Sequence, residues 1–252
     1  VFSAPFFMLL LLCIFNLLAP LFTPQRFYGT ADWPLTQTMV TLVTESSGLL
    51  LVLILTYYCA EVVWRERSQG IGDIIDATPV ANMVLWLSKL LAVGAAMLLM
   101  YGAFALTTIS YQLLKGFDDV DLVQYLVRLG YFNFLPFMLT VVLAFLIQVL
   151  SPNKFVGMGV FVVYMIITQV LDAWGFNHRM WHFSASPDAP FSDLNRFGWT
   201  LQSHSWYMLY WSGLTAILFV LGFGMFQRGP AQSLAVRLQQ LRYQIGIGGQ
   251  LT

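Results

Sequence analysis

Charge is what this chain has least of. Twelve basic and twelve acidic side chains among 252 residues make it 10% charged against 58% hydrophobic, less than half the roughly 25% charge of an ordinary globular domain. Mean hydropathy is +0.72. So little charge excludes a water-facing surface over most of the chain, and lipid has to be the solvent. The two signs balance, so nucleic acid is not expected as a partner, there being no electrostatic basis for it. Cysteine is almost missing. Cys13 and Cys59 stand alone, read at different depths of the membrane and in no C-x-x-C pair, which removes a disulfide framework and structural zinc from consideration. No G-x-x-x-x-G-K-[ST] occurs, so no phosphate-cradling loop for ATP is present, and no H-E-x-x-H occurs, so zinc-peptidase chemistry has no carrier here. Histidine is scarce too. His178 and His182 stand four apart with Asp172 before them; on a helix two such imidazoles could share a metal, but Arg179 lies between and no third ligand has the spacing, so no metal is expected. Ser46 and Ser47 have no histidine at matching depth for nucleophilic chemistry.

Apolar runs fill the space that charge leaves. Crossing the hydrocarbon core takes about 20 apolar residues, and six runs qualify: Ala4–Phe22, Thr36–Val63, Met83–Tyr111, Tyr125–Leu150, Phe155–Trp174 and Trp206–Phe226. Backbone groups in lipid can bond only within their own segment, so each run is read as a helix. Period-two alternation is absent, which argues against a barrel. The expected fold is all-α: a polytopic membrane protein of six transmembrane helices occupying residues 1–226, with 227–252 following as a cytoplasmic connector. In that tail Leu234, Leu238, Leu241 and Ile245 recur at helical spacing beside Arg237 and Arg242, the pattern of a short amphipathic surface helix. The chain starts at once on an apolar run and ends Gly-rich, and is read as a piece of a longer polypeptide.

Six spans put both ends on one side. With the loop 61–82 placed in the cytoplasm, Arg65, Arg67, Lys89, Lys154, Arg228, Arg237 and Arg242 lie inside and Arg26, Lys115, Arg128, Arg179 and Arg196 outside. Seven against five is the sense that the positive-inside tendency favours. The same choice leaves a long aromatic segment outside, from Asp172 to Ser205, where Trp174, Trp181, Phe183, Phe191, Phe197 and Trp199 suit an interfacial belt.

The segment Glu61–Lys89, E-V-V-W-R-E-R-S-Q-G-I-G-D-I-I-D-A-T-P-V-A-N-M-V-L-W-L-S-K, is the one place where charge concentrates. Trp64, Ile71, Ile74, Ile75 and Thr78 fall on one helical side; Glu66, Gln69, Asp73 and Asp76 fall on the other. Gly70 and Gly72 cost a helix about 1 kcal/mol each and mark a break, and Pro79 ends the element. Periodicity alone leaves two readings open, a short interfacial helix with its acidic face outward or a solvated loop whose charges set topology.

The pattern R-E-R-x-x-G-x-x-D-I-I-x-A-T-P, with Lys89 ten residues after the proline, resembles the signature of type-two ABC transporter permeases; the layout of six spans with this loop between the second and third is similar to one permease half. The resemblance covers the whole chain in layout and about 29 residues in motif. It implies that Arg65, Glu66, Arg67, Gly70, Asp73, Asp76 and Pro79 form the coupling element that docks on an ABC-type ATP-binding subunit. It also implies a second permease half, from a dimer mate or from the rest of the polypeptide, and a multi-pass location in a cell membrane, the bacterial inner membrane, with both termini cytoplasmic. No cofactor is expected in this chain, since ATP and Mg would belong to the partner. The outer segment further resembles permeases fused to a zinc aminopeptidase domain.

Polar groups inside spans are costly in lipid and default to functional candidates. Glu45, in T-E-S-S-G, is the candidate for a substrate path. Lys89 reads as a snorkelling anchor, Arg128 as a partner of Asp121 or Asp119, and Pro136 as a kink or hinge in the fourth span. Two other functions stay open from the residues: a passive membrane anchor for an attached domain, and an embedded hydrolase built on His178, His182 and Asp172.

Overall fold

The computed structural model describes residues 4–22, 33–176 and 178–226. Helix α1 spans Ala4–Phe22, α2 Thr36–Ser68, α3 Gly72–Asp76, α4 Asn82–Leu114, α5 Leu122–Leu150, α6 Lys154–Ala173 and α7 Gly198–Met225. Six of these, all but the five-residue α3, are long and apolar enough to cross a membrane, and no strand occurs among the described residues. The all-α polytopic architecture expected from the hydropathy is the architecture found. The connector 227–252 lies outside the described residues.

Two helices outrun their apolar stretches. At 33 residues each, α2 and α4 measure about 50 Å, well beyond a hydrocarbon core of about 30 Å. α2 runs on through Arg65, Glu66 and Arg67 because all three are good helix formers. α7 begins at Gly198, eight residues before the apolar run at Trp206. Gln202, Ser203, His204 and Ser205 lower the hydropathy there, yet Thr200, His204 and Met208 recur at steps of four and are all buried, so the helical period carries the element back to Gly198.

Pro136 was expected to kink the fourth span, and what precedes it is a π-helical stretch over Leu126–Phe134. Proline has no N–H, and its ring crowds the carbonyl four residues back, here Phe132. Widening the turns so that the Leu135 N–H reaches Gly130 O is one way to absorb that crowding, and such stretches gather at functional sites.

The chain divides into two compact units. One comprises Val1–Leu55, Gly94–Met138 and Ser186–Met208, the other Thr56–Val93, Leu139–Ala185 and Leu209–Thr252. In the first, Gln112 is fully buried and bonds through Nε2 to Pro34 O (2.8 Å), while Tyr125 OH donates to Gln112 Oε1 at 2.9 Å. In the second, Trp86 is fully buried, with Phe145, Phe219 and Phe226 ring centroids 5.6, 6.2 and 5.4 Å away. A Cβ on Gly222 would come within 2.9 Å of Trp86 Cζ2, so Gly222 is where the backbone makes room for the indole. Gly222→Val is expected to cost about 1–3 kcal/mol through overpacking, read as a lowered unfolding midpoint in detergent, with Gly222→Ala costing less. An unchanged midpoint for both would show that the contact is not tight. Cys13 and Cys59 are both free and buried.

Candidate functional site

The charged segment folds as a helix end, a turn and a short helix, joined by hydrogen bonds at each step. α2 ends at Ser68, whose Oγ donates to Arg65 O at 2.9 Å. Gly70 N–H reaches Arg67 O (3.2 Å) and Ile71 N–H reaches Glu66 O (3.1 Å). Gly70 sits at φ +69°, the left-handed conformation that closes helix ends and that glycine adopts without a Cβ penalty. α3 follows, carrying Asp73 and Asp76 three residues apart in its backbone. Thr78 Oγ1 donates to Ile75 O at 2.6 Å, and Pro79 leads into α4.

This turn is braced from inside. Lys89, on the second turn of α4 and 7% exposed, places Nζ 2.8 Å from Glu66 Oε2, and Glu66 itself is 27% exposed. The ammonium also lies 5.1 Å from the Phe226 ring centroid. A buried lysine would be unstable as a cation without such partners. Trp64 Nε1 donates to Gln148 Oε1 at 3.1 Å, and Lys154 bonds Glu61 while its Nζ lies 5.4 Å from the Tyr57 ring centroid. Trp64, Glu66, Arg67, Gly72, Lys89 and Phe226 surround a cavity of about 40 Å³, room for a single water.

Of the residues singled out by motif, the fold therefore turns Glu66 inward to Lys89 rather than leaving it on an outer acidic face. Arg65 and Arg67 are exposed, and Arg67 lies 5.9 Å from the Trp64 ring centroid. Ile71 and Ile74 were expected on the apolar side. Both are exposed, Ile74 at 69%, while Ile75 is half-buried. Lys89 is more than a snorkelling anchor: it closes the loop between two spans, an internal partnership that no local pattern announces because the bridge spans 23 residues.

Glu45 is exposed on α2, nine residues past Thr36, about 14 Å along the helix. Its neighbours are spoken for: Thr44 Oγ1 donates to Val40 O and accepts from Asn133 Nδ2, and Ser46 O accepts from Asn16 Nδ2. Arg128 does not engage Asp121, which caps α5 by accepting from Gln124 N. It donates instead through Nη1 to Ala189 O at 2.8 Å and sits in the field of Asp188. Sequence distance hid this, since Asp188 is sixty residues away and the nearer acids looked sufficient.

His178 and His182 are not on an α-helix. His178 caps a single 3-10 turn over Arg179–Trp181 and accepts from Met180 N, while His182 Nε2 lies 3.2 Å from Phe176 O. The extended backbone at both residues removes the shared face that i, i+4 spacing assumes, and no group of three His, Cys, Asp or Glu able to hold a metal occurs among the described residues. His204, set aside as too distant in sequence to join His178 and His182, is buried with Nδ1 2.8 Å from Ser186 Oγ and Nε2 3.2 Å from Tyr131 O. Phe132 packs on its ring at 4.5 Å. This imidazole ties the segment before α7 to the π stretch of α5, and its helical step from Thr200 was the one available sign. In the aromatic segment Phe197 is buried while Trp174, Trp181 and Trp199 are exposed, so the tryptophans rather than the phenylalanines have the placement of an interfacial belt.

No family model, curated protein or solved structure matches the chain. Fold and apolar surface together define a multi-pass helical membrane protein.

Proposed function

We propose that the chain is the membrane-spanning half of an ATP-driven, type-two ABC transporter, with α3 and the end of α2 as its coupling element. The observation that carries this reading is the braced turn. A free loop cannot transmit a push, because its own conformations absorb the work. Here the segment between two spans is a short helix, and the Lys89–Glu66 bridge fastens α2 to α4 directly above it. Ile74 and the cations Arg65 and Arg67 are left outward, a small apolar knob with charge around it, of the kind that seats in a groove of a protein partner. ATP and Mg would be held by that ATP-binding subunit, and the substrate would be moved between this half and a second one.

Two further features fit. Glu45 is an exposed carboxylate at span depth, bonded to no described residue, and a charge there is tolerated where it meets a polar path or another protein. Only 11% of the α6 span window is buried, leaving that helix to lipid or to a second half.

The test is co-purification. An ABC-type ATPase should leave the membrane in detergent with the chain, and Ile74→Asp or Asp73→Lys should reduce its recovery about tenfold or more while the variant stays inserted and monodisperse. Recovery of no nucleotide hydrolase, or equal recovery with both variants, would leave the passive anchor as the better reading.

A further inference from the structure

Two polar side chains stand exposed at a depth where the surface should be hydrocarbon. α1 is 19 residues long, about 28 Å, which is barely the thickness of a hydrocarbon core of about 30 Å. Nearly all of it therefore lies inside the core when it spans. Asn16 stands six residues before its last residue, Phe22, about 9 Å in from the nearer edge, and it is exposed. Its Nδ2 donates to Ser46 O at 2.7 Å, which holds the adjoining turn of α2 at the same level. Glu45, next to that carbonyl in the chain, is exposed as well.

Other exposed surfaces at span depth are what lipid requires. α4 from Leu91 to Leu106 and α6 from Phe155 to Ile167 expose only apolar residues. The polar pair is itself flanked by exposed apolar side chains, Leu12 and Phe15 on α1 and Leu49 on α2. A carboxylate facing acyl chains is strongly disfavoured, and such residues normally face protein or water. Between spans, moreover, apolar contact gains little over lipid, and polar side chains supply the bonds that hold one bundle to another.

We infer that this face of α1 and α2 docks on the same face of a second copy of the chain, Asn16 of each copy donating to Glu45 of the other. The inference deepens the transport reading and rests on it for the existence of a second half. The patch is self-complementary. A side-chain amide has two N–H donors; one of those on Asn16 goes to Ser46 O, and the other meets no described residue. Glu45 beside it is an acceptor that bonds no described residue. A two-fold axis along the membrane normal leaves depth unchanged, so reciprocal bonds across it need donor and acceptor at one level. The Asn16–Ser46 bond puts them there. A different partner bringing only a cation would satisfy Glu45 and leave the amide donor without a use. Gly48, one turn from Glu45, is a place where a Cβ would meet nothing within 4 Å, so nothing in the same chain blocks the approach of a second helix.

The test is cross-linking of the full chain in its membrane by a short bifunctional thiol reagent. Cys13 and Cys59 are buried, so the unaltered chain is the blank. Gly48→Cys or Leu49→Cys should give a product of twice the chain's mass, and Leu99→Cys on α4 and Val163→Cys on α6 about tenfold less of it. With Leu49→Cys in place, Glu45→Leu and Asn16→Leu should each lower the yield about tenfold, the loss of hydrogen bonds to a charged group. Combining the two should lower it no further, because either one already removes both reciprocal bonds. Glu45→Gln keeps an acceptor oxygen and should keep most of the yield. A yield no greater than at Leu99 and Val163, or one unmoved by Glu45→Leu, overturns the inference, and so does a product of any other mass. Asn16→Leu also gives up the bond to Ser46; should it not elute monodisperse, Glu45→Leu at its exposed position decides alone. No ATPase enters the measurement. A linked pair from membranes that yield no ATPase would sink the transport reading and leave the docking face standing, and an ATPase recovered with an unlinked chain would do the reverse.

Discussion

Replacing Lys89 by methionine should destabilise the protein more than any change at the exposed positions of the turn between α2 and α4. Its ammonium is 7% exposed and meets Glu66 at 2.8 Å. Taking away one member of such a pair leaves the other charge in a poorly solvated place, and broken buried pairs lose about 3–5 kcal/mol. Glu66, at 27% exposed, keeps some contact with solvent, so the lower half of that range is expected. The informative comparison is the double variant Lys89→Met/Glu66→Gln. With both charges gone nothing is left unpaired, and more than half of the lost stability should return. Unfolding followed for the two single variants and the double one measures the coupling. If the losses simply add, the pair is not an interacting unit, and the brace on the turn, with the coupling role proposed for it, is lost. Under the proposed transport role, recovery of an ATP-binding subunit should follow the same order, because that role requires the turn to be stiff.

Gln112→Leu is expected to have the second largest effect, in the other unit. Gln112 is wholly buried and its amide serves three groups: Nε2 reaches Pro34 O and Thr36 Oγ1, and Oε1 accepts from Tyr125 OH, which also donates toward Thr108 Oγ1. Leucine fills much the same volume, so the change is mainly the loss of bonds. Pro34 O is left without its donor, and the Tyr125 hydroxyl keeps only Thr108. Each buried group so deprived costs about 1–3 kcal/mol, giving an expected loss of about 2–4 kcal/mol. Tyr125→Phe removes only one end and leaves Gln112 its other partners. Gln112 Oε1 is then left without its donor, one deprived group rather than two, so a smaller loss of about 1–2 kcal/mol is expected. A Gln112→Leu protein as stable as the Tyr125→Phe protein would mean that water reaches this network and satisfies it.

Much of the architecture is legible in the chain itself. Lipid leaves a backbone two solutions, helix or closed barrel, and runs without alternation choose the helix. That is why six spans were found where six apolar runs lie, most of them to within a few residues. Errors arose where polarity and periodicity disagree. Gln202–Ser205 look like a loop by hydropathy yet are helix, because burying Thr200, His204 and Met208 on one face outweighs a few polar neighbours. Pro136 is read as a kink or hinge, and the nine residues Leu126–Phe134 before it are widened helix. Proline announces a disturbance and does not specify its form.

The candidate site was legible in part. The sequence marks the turn at Gly70 and the stop at Pro79 because both are backbone effects, local by nature. Facing is not local in that sense. Glu66 was assigned to an outward acidic face by its position in the helical wheel, but its partner Lys89 stands 23 residues on and turns it inward. Arg128 was matched with acids seven and nine residues before it, and engages Ala189 and Asp188 instead.

Composition and hydropathy alone determined that the chain crosses a membrane, how many times, and by which kind of element, because those follow from the free energy of bare backbone in hydrocarbon, a property of each segment by itself. Only the tertiary structure decided which charges meet and which side chains are left outward. Those outcomes depend on contacts between residues far apart in the chain, where the geometry of packing, and not the spacing along the sequence, sets the distance.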